Sequence, residues 1–173
     1  MQIMKNWIPN NWVRPLTAIF VGAAITLGSL GASSTEALAQ SKGSRIRQSI
    51  QRLKQSERRW IQVDLSEQKL VAWRGRTPVY SMLVSTGRRK DPTLTGVFNI
   101  QSKHRKARMR GEDYDRKNVP SVMYYDGSYG IHGAYWHNSF GTPVSRGCVN
   151  LRPKQARTLY SWASIGTPVV VHR

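Results

Sequence analysis

From Trp60 onward, apolar and polar residues alternate in short runs, the period of half-buried strands. Trp60-Ile61-Gln62-Val63-Asp64-Leu65 alternates, Ser66-Glu67-Gln68 breaks the run, and Lys69 to Trp73 resumes it, which predicts a hairpin. Gly75 opens the next turn. Pro78 to Ser85 is apolar and β-branched and stops at Thr86-Gly87, and Val97 to Gln101 predicts a further strand. Ser121 to Tyr125 and Tyr129 to His132 are separated by the turn pair Asp126-Gly127, and Thr167 to His172 closes the domain as a strand. Pro153 to Ser164 instead repeats at helical spacing. Ala156, Leu159, Tyr160 and Ala163 share a face there, and Pro153 suits a first helical turn. The pattern predicts a mostly β domain over 60–173, a sandwich or barrel of short strands with one late α-helix.

Two segments break this rhythm. Residues 40–59 are polar and basic, with Ile46, Ile50 and Leu53 at i, i+4 and i+7. That spacing allows a short amphipathic helix that docks on an anionic surface. The favoured reading is a solvated linker ahead of the domain. Ser102 to Pro120 places Lys103, Arg105, Lys106, Arg108 and Arg110 ahead of Glu112, Asp113 and Asp115. A segment of that length inside a compact domain reads equally as a lid over a groove or as a disordered surface loop.

The chain opens with Lys5 and Arg14, then an uncharged apolar stretch from Leu16 to Leu30, then Ala37-Leu38-Ala39. This order predicts an export signal over 1–39, cleaved before Gln40. The rival is an uncleaved anchor through residues 15–35. Either way the remainder is exported, to the periplasm or cell wall. Charge sharpens the partner question. The chain holds 27 Lys and Arg against 9 Asp and Glu, a formal +18. A field of that sign draws polyanions. For an exported domain, the anionic cell envelope is the expected partner rather than nucleic acid. A monomer is expected.

Candidate chemistry is concentrated in Ile131 to Leu151, IHGAYWHNSFGTPVSRGCVNL, with two of the four histidines and the single cysteine. His132 ends a predicted strand. Cys148 follows Ser145-Arg146-Gly147, a turn-like run. A thiol attacks carbonyls as thiolate, which is scarce near neutrality at a pKa of about 8.5. A histidine within reach removes the proton. Gly147 permits a tight bend, and amide N–H groups in such a bend can hold an oxyanion. Spacing alone leaves His137 as a competing partner. One Cys and two His fall short of the usual zinc set, so no metal or other cofactor is expected. Tyr124, Tyr135 and Trp136 read as core rather than groove, and His104 and His172 as solvated and structural.

These residues resemble the signature of L,D-transpeptidase (YkuD-type) catalytic domains. That signature is His-Gly, a spacer, then Ser-His-Gly-Cys followed by an apolar residue and Asn or Arg. Here it is His132-Gly133, then Ser145-Arg146-Gly147-Cys148-Val149-Asn150. Asp64 to Leu70 resembles the family's opening hairpin. Val84-Ser85-Thr86-Gly87 and Thr93-Leu94-Thr95-Gly96-Val97-Phe98 resemble its next strands. The likeness runs from Trp60 to His172. Two departures are Arg146, where the family usually has His, and Leu94, where it usually has Pro.

The resemblance implies an enzyme acting on peptidoglycan stem peptides, both donor and acceptor. It implies Cys148 as nucleophile, His132 as proton donor and acceptor, and the Gly133 carbonyl as its orienter. Backbone N–H groups of Gly147 and Cys148 would form the oxyanion hole, with Ser145, Arg146 and Asn150 shaping the turn and contacting substrate. Transfer of the acyl group to an amine gives a 3–3 cross-link, and transfer to water makes an L,D-carboxypeptidase. A non-catalytic peptidoglycan-binding protein is the alternative from another class. A papain-type protease finds no support around Cys148.

Overall fold

The computed structural model describes residues 33–173. The expected export signal or anchor lies almost wholly outside the described residues. Within them the chain begins as helix α1 (Ser33–Lys54), so the expected Ala39–Gln40 junction falls inside a helix. Among the described residues, no helix is long and apolar enough to cross a membrane.

Nine strands follow in two sheets. β1 (Arg59–Asp64), β2 (Lys69–Arg74) and β3 (Thr77–Leu83) form an antiparallel meander. β9 (Pro168–His172) runs parallel to β1, and β4 (Gly96–Asn99) closes the other edge, giving the order β3-β2-β1-β9-β4. The second sheet has the order β5-β6-β7-β8, from β5 (Ser102–Gly111), β6 (Tyr114–Asp126), β7 (Tyr129–Gly133) and β8 (Val149–Leu151). Helix α2 (Pro153–Trp162) packs on the second sheet through Ala156, Leu159 and Trp162. The predicted mostly β architecture is the one observed.

Period-two alternation explains which face each strand buries. Ile61 and Val63 of β1, Val169 and Val171 of β9, Ile131 of β7, and Val149 and Leu151 of β8 share one core with Met123, Tyr125 and Leu159. Outward from the first sheet, Trp60 and Val170 form a second cluster with Ile46 of α1, and Ile50, Leu53 and Trp73 pack against it. Trp60 stacks on Trp73 with centroids 5.5 Å apart, and its indole N–H donates to the Gly75 carbonyl at 3.0 Å. The linker expectation for 40–59 is therefore corrected. Ile46, Ile50 and Leu53 have apolar partners in the domain, so burial holds the helix there. Of the two readings of 102–120, the disordered loop is likewise corrected, while the lid reading meets a hairpin whose side chains line a cleft. The segment is the long β5–β6 hairpin, registered from Ser102↔Tyr124 to Gly111↔Tyr114. Its dense charge obscured a strand whose buried positions are few, among them Met109, Val119 and Val122.

One turn in the first sheet positions the site. Asp64 Oδ1 accepts the backbone N–H groups of Ser66 at 2.9 Å and Glu67 at 3.1 Å, a side-chain-capped turn. Gln68 leaves that turn at φ +50° and is buried. Its amide donates to Leu65 O and Thr86 Oγ1 and accepts the Thr86 N–H at 2.9 Å. The β1–β2 turn thereby fixes the Ser85-Thr86-Gly87 run.

Candidate active site

β7 and β8 run parallel, with Ile131 opposite Val149, His132 opposite Asn150 and Gly133 opposite Leu151. Cys148 immediately precedes β8. Side chains two apart share a face, so Cys148 lies on the face of Asn150, diagonal to His132. Both line one narrow cleft together with Ser145, Arg146 and Asn150. Gly133 lies behind this cleft, where a Cβ would stand 2.9 Å from Pro120 Cγ and 3.2 Å from Pro153 Cα. Only glycine lets β7 pack that closely against both prolines.

The bend before Cys148 is stitched from three sides. Ser145 Oγ donates to the Cys148 carbonyl at 2.5 Å and accepts the Gly147 N–H at 3.1 Å. Gly147 sits at φ +107°, where a side chain would also strike the Tyr129 ring. The Thr93 hydroxyl donates to the Gly147 carbonyl at 2.8 Å and accepts the Gly87 N–H at 2.8 Å. Ser145 N–H donates to Thr86 O, and Arg88 N–H donates to Ser145 O. Ser85 and Asn150 exchange both of their backbone hydrogen bonds. The Ser-Thr-Gly and Thr-Leu-Thr-Gly runs thus brace the cysteine loop.

The electrostatics follow from burial. His132 is only 2% exposed. Its Nδ1 lies 3.1 Å from the Gly133 carbonyl, which can only accept, so Nδ1 carries the proton and Nε2 the lone pair. Burial pushes its pKa down to about 4, and nearby His137 adds to that while the Gly133 bond opposes it. The imidazole is therefore a neutral base at neutral pH. Burial also raises the Cys148 thiol, with a hydrogen bond from Gly130 working the other way. The thiol donates weakly to Ser128 O at 3.6 Å. The resting pair is two neutral groups, not a thiolate beside an imidazolium. His137, the rival partner, lies with its Nε2 3.0 Å from the Asn150 amide nitrogen and does not line the cleft. Among the described residues, no three His, Cys, Asp or Glu side chains converge as a metal set.

The L,D-transpeptidase catalytic domain (YkuD) family profile matches residues 58–171. This chain belongs to that family. YciB of Bacillus subtilis (strain 168) is 26% identical over 131 residues, covering 65% of this chain and 64% of that protein. An L,D-transpeptidase from Mycobacterium smegmatis superposes with a TM-score of 0.63 at 26% identity, over 66% of this chain and 58% of its own. An L,D-transpeptidase solved in complex with imipenem gives 0.62 at 26% identity, over 66% and 58%. The chain thus spans less than two thirds of each relative.

At Arg146, where the resemblance leads one to expect His, the hairpin tip of this L,D-transpeptidase domain supplies partners. Arg146 pairs with Asp113 in the β5–β6 turn, and its guanidinium lies 4.9 Å from the Tyr114 ring. Met109, Tyr114 and Arg116 of the hairpin, with Trp136 and Val144, complete the cleft wall. Sequence reasoning singled out none of Met109, Tyr114, Arg116 and Val144. Trp136, expected in the core, lies with its ring centroid 5.8 Å from that of His132. Tyr135 is exposed, with its hydroxyl on Lys117 O, while Tyr124 packs beside the hairpin cluster. The hairpin side chains form the roof of this cleft, which stays partly open to solvent.

Arg146 holds the Asp113 carboxyl below the usual carboxylate range. The pair is intact at neutral pH and is lost as pH falls through that depressed value. Asp113→Asn is expected to raise the rate of thiol alkylation by iodoacetamide about two- to fivefold at pH 7, the scale for one exposed ion pair. Added salt should produce the same rise in wild type and little in the variant. Equal rates at low salt would show that the pair does not hold the roof.

Proposed function

We propose that this domain is a peptidoglycan L,D-transpeptidase working through a Cys148 thioester, with His132 as base, in an exported protein of the periplasm or cell wall. One observation carries the reading. Cys148 and His132 line the same cleft from neighbouring strands, and the Gly133 carbonyl leaves His132 Nε2 as the unprotonated nitrogen.

In the donor step the sulfur attacks the carbonyl of the third stem residue, and the thiol proton passes to His132 Nε2. The Cys148 N–H faces the developing oxyanion. Gly147 N–H is already donated to Ser145 Oγ, so its part is to hold the bend rather than the anion. Collapse breaks the C–N bond to the terminal D-alanine. The proton moves from His132 to the leaving amine, and a thioester remains. An acceptor amine of a second stem then attacks, His132 takes one of its protons, and the thiol is restored as a 3–3 cross-link forms. Water in place of the amine gives carboxypeptidase activity instead. The thioester conserves the energy of the broken amide, so these steps run on the chain's own residues.

The experiment is acylation followed by product analysis. Folded protein incubated with imipenem should gain the mass of one molecule on the peptide containing Cys148. Incubation with a disaccharide-tetrapeptide should release D-alanine and yield cross-linked dimer. Absence of both the adduct and D-alanine release on folded protein would leave only a non-catalytic wall-binding role.

A further inference from the structure

The β5–β6 hairpin brings an arginine to the catalytic cleft and spends its aspartates on other partners. Side chains alternate between the two faces of a strand. Asp115 leaves β6 on the face of Arg108 and Arg110 and pairs with both. Arg116 takes the opposite face, across from Met109, and the two line the cleft that holds Cys148 and His132. The other arginine of the cleft, Arg146, is engaged by Asp113. We propose, resting on the transpeptidase reading, that Arg116 binds the terminal carboxylate of the donor peptide, on the D-alanine that leaves, and is a specificity-determining residue for the reaction.

The position of Arg116 matters more than its charge. Its guanidinium lies over the Trp136 ring, 5.3 Å from the centroid. The Trp136 ring in turn lies against His132, with centroids 5.8 Å apart. Guanidinium, indole and imidazole thus follow one another in the cleft wall. The leaving group belongs at the same end. His132 Nε2 hands its proton to the departing nitrogen, so that nitrogen comes within about 3 Å of the imidazole. The carboxylate carbon of D-alanine lies about 2.5 Å beyond its nitrogen. The charge of the leaving residue therefore sits beside the base, one indole away from the guanidinium. An indole face attracts a guanidinium without consuming its N–H donors. Those donors form a fork that matches both oxygens of a carboxylate. Met109, Tyr114 and Val144, the other side chains of this wall, bring no cation.

The plain alternative is that Arg116 only covers the Trp136 ring. The two roles differ in their response to the charge of the substrate. Arg116→Gln is compared with wild type on two donors, a disaccharide-tetrapeptide ending in D-alanine and the same compound ending in D-alaninamide. The readout is kcat/KM for release of the terminal residue. Wild type should favour the acid about tenfold, the scale of a charge-assisted hydrogen-bonded pair. The variant should lose that preference, falling about tenfold on the acid and staying within about twofold of wild type on the amide. A covering role acts on both donors alike, so the cycle isolates the carboxylate. Equal loss on both donors, or a preference kept by the variant, would overturn the proposal. NMR titration of both peptides into Cys148→Ala, with and without Arg116→Gln, repeats the comparison without chemistry and should give the same pattern in Kd. Absence of turnover by wild type on either donor would thus count against the transpeptidase reading alone. Equal Kd changes for acid and amide would still remove Arg116 from carboxylate recognition.

Discussion

Cys148→Ala is expected to lower D-alanine release and dimer formation by roughly 10⁴-fold or more, because no other group can form the acyl intermediate. The cost to the fold should be small. The residue is half-buried, the hydrogen bond it donates to Ser128 O is long at 3.6 Å, and its loop is held by Ser145 and Thr93 rather than by sulfur. A stability change within about 1 kcal/mol is expected. Muropeptide analysis of sacculi treated with each protein, alongside a thermal melt, checks both statements. A variant that melts like wild type and still processes tetrapeptide would remove Cys148 from the reaction.

The second large effect concerns the base. His132→Gln is expected to cost about 10²- to 10⁴-fold in acylation rate at pH 7, the range for a lost general base. Its pH profile should differ in shape as well as height. Burial raises the Cys148 thiol above its ordinary value, so the variant should recover only on the alkaline side, where thiolate forms unaided. Wild type should stay active well below pH 6.5, because the neutral, proton-accepting form of His132 persists down to about pH 4. A histidine whose folded pKa lies below its unfolded one is protonated first in the unfolded chain. Wild-type stability should therefore be fully present above about 6.5 and fall as pH drops toward 4, by up to about 3 kcal/mol. His132→Gln should lose that dependence. Stopped-flow acylation and denaturant melts from pH 4 to 10 measure each part. An unchanged acylation profile in the variant would assign the proton to another group.

Much of this architecture was legible in the residues. Alternation located β1 and β2, short apolar runs located β3, β4, β7 and β9, and the Ser121–Tyr125 run caught the end of β6. The Pro153 start and the Ala156–Leu159 spacing located α2. The cysteine loop was legible because Gly147 and Ser145 have few roles other than a bend. What escaped was set by distant partners. β5 carries so many exposed cations that only Met109 hints at a buried face. β8 is three residues long and is a strand because β7 lies beside it. The packing of α1 depends on Trp60 and Val170 offering an apolar seat, which no local pattern in 40–59 reveals. Trp136 gave an aromatic signal that fits core and cleft equally, and only the hairpin above it decides between them. Arg146 read only as a departure from the family pattern until Asp113, 33 positions earlier, supplied its partner.

The Thr93 hydroxyl grips the carbonyl of Gly147. That carbonyl and the amide hydrogen of Cys148 belong to one rigid trans plane and point in opposite directions. Anchoring the oxygen therefore fixes the heading of the hydrogen. A threonine far off in the chain, in the turn that carries Leu94, steers the donor that would meet the charged intermediate. Rate and fidelity at the sulfur are consequently exposed to changes in residues 91–95, none of which would touch the substrate.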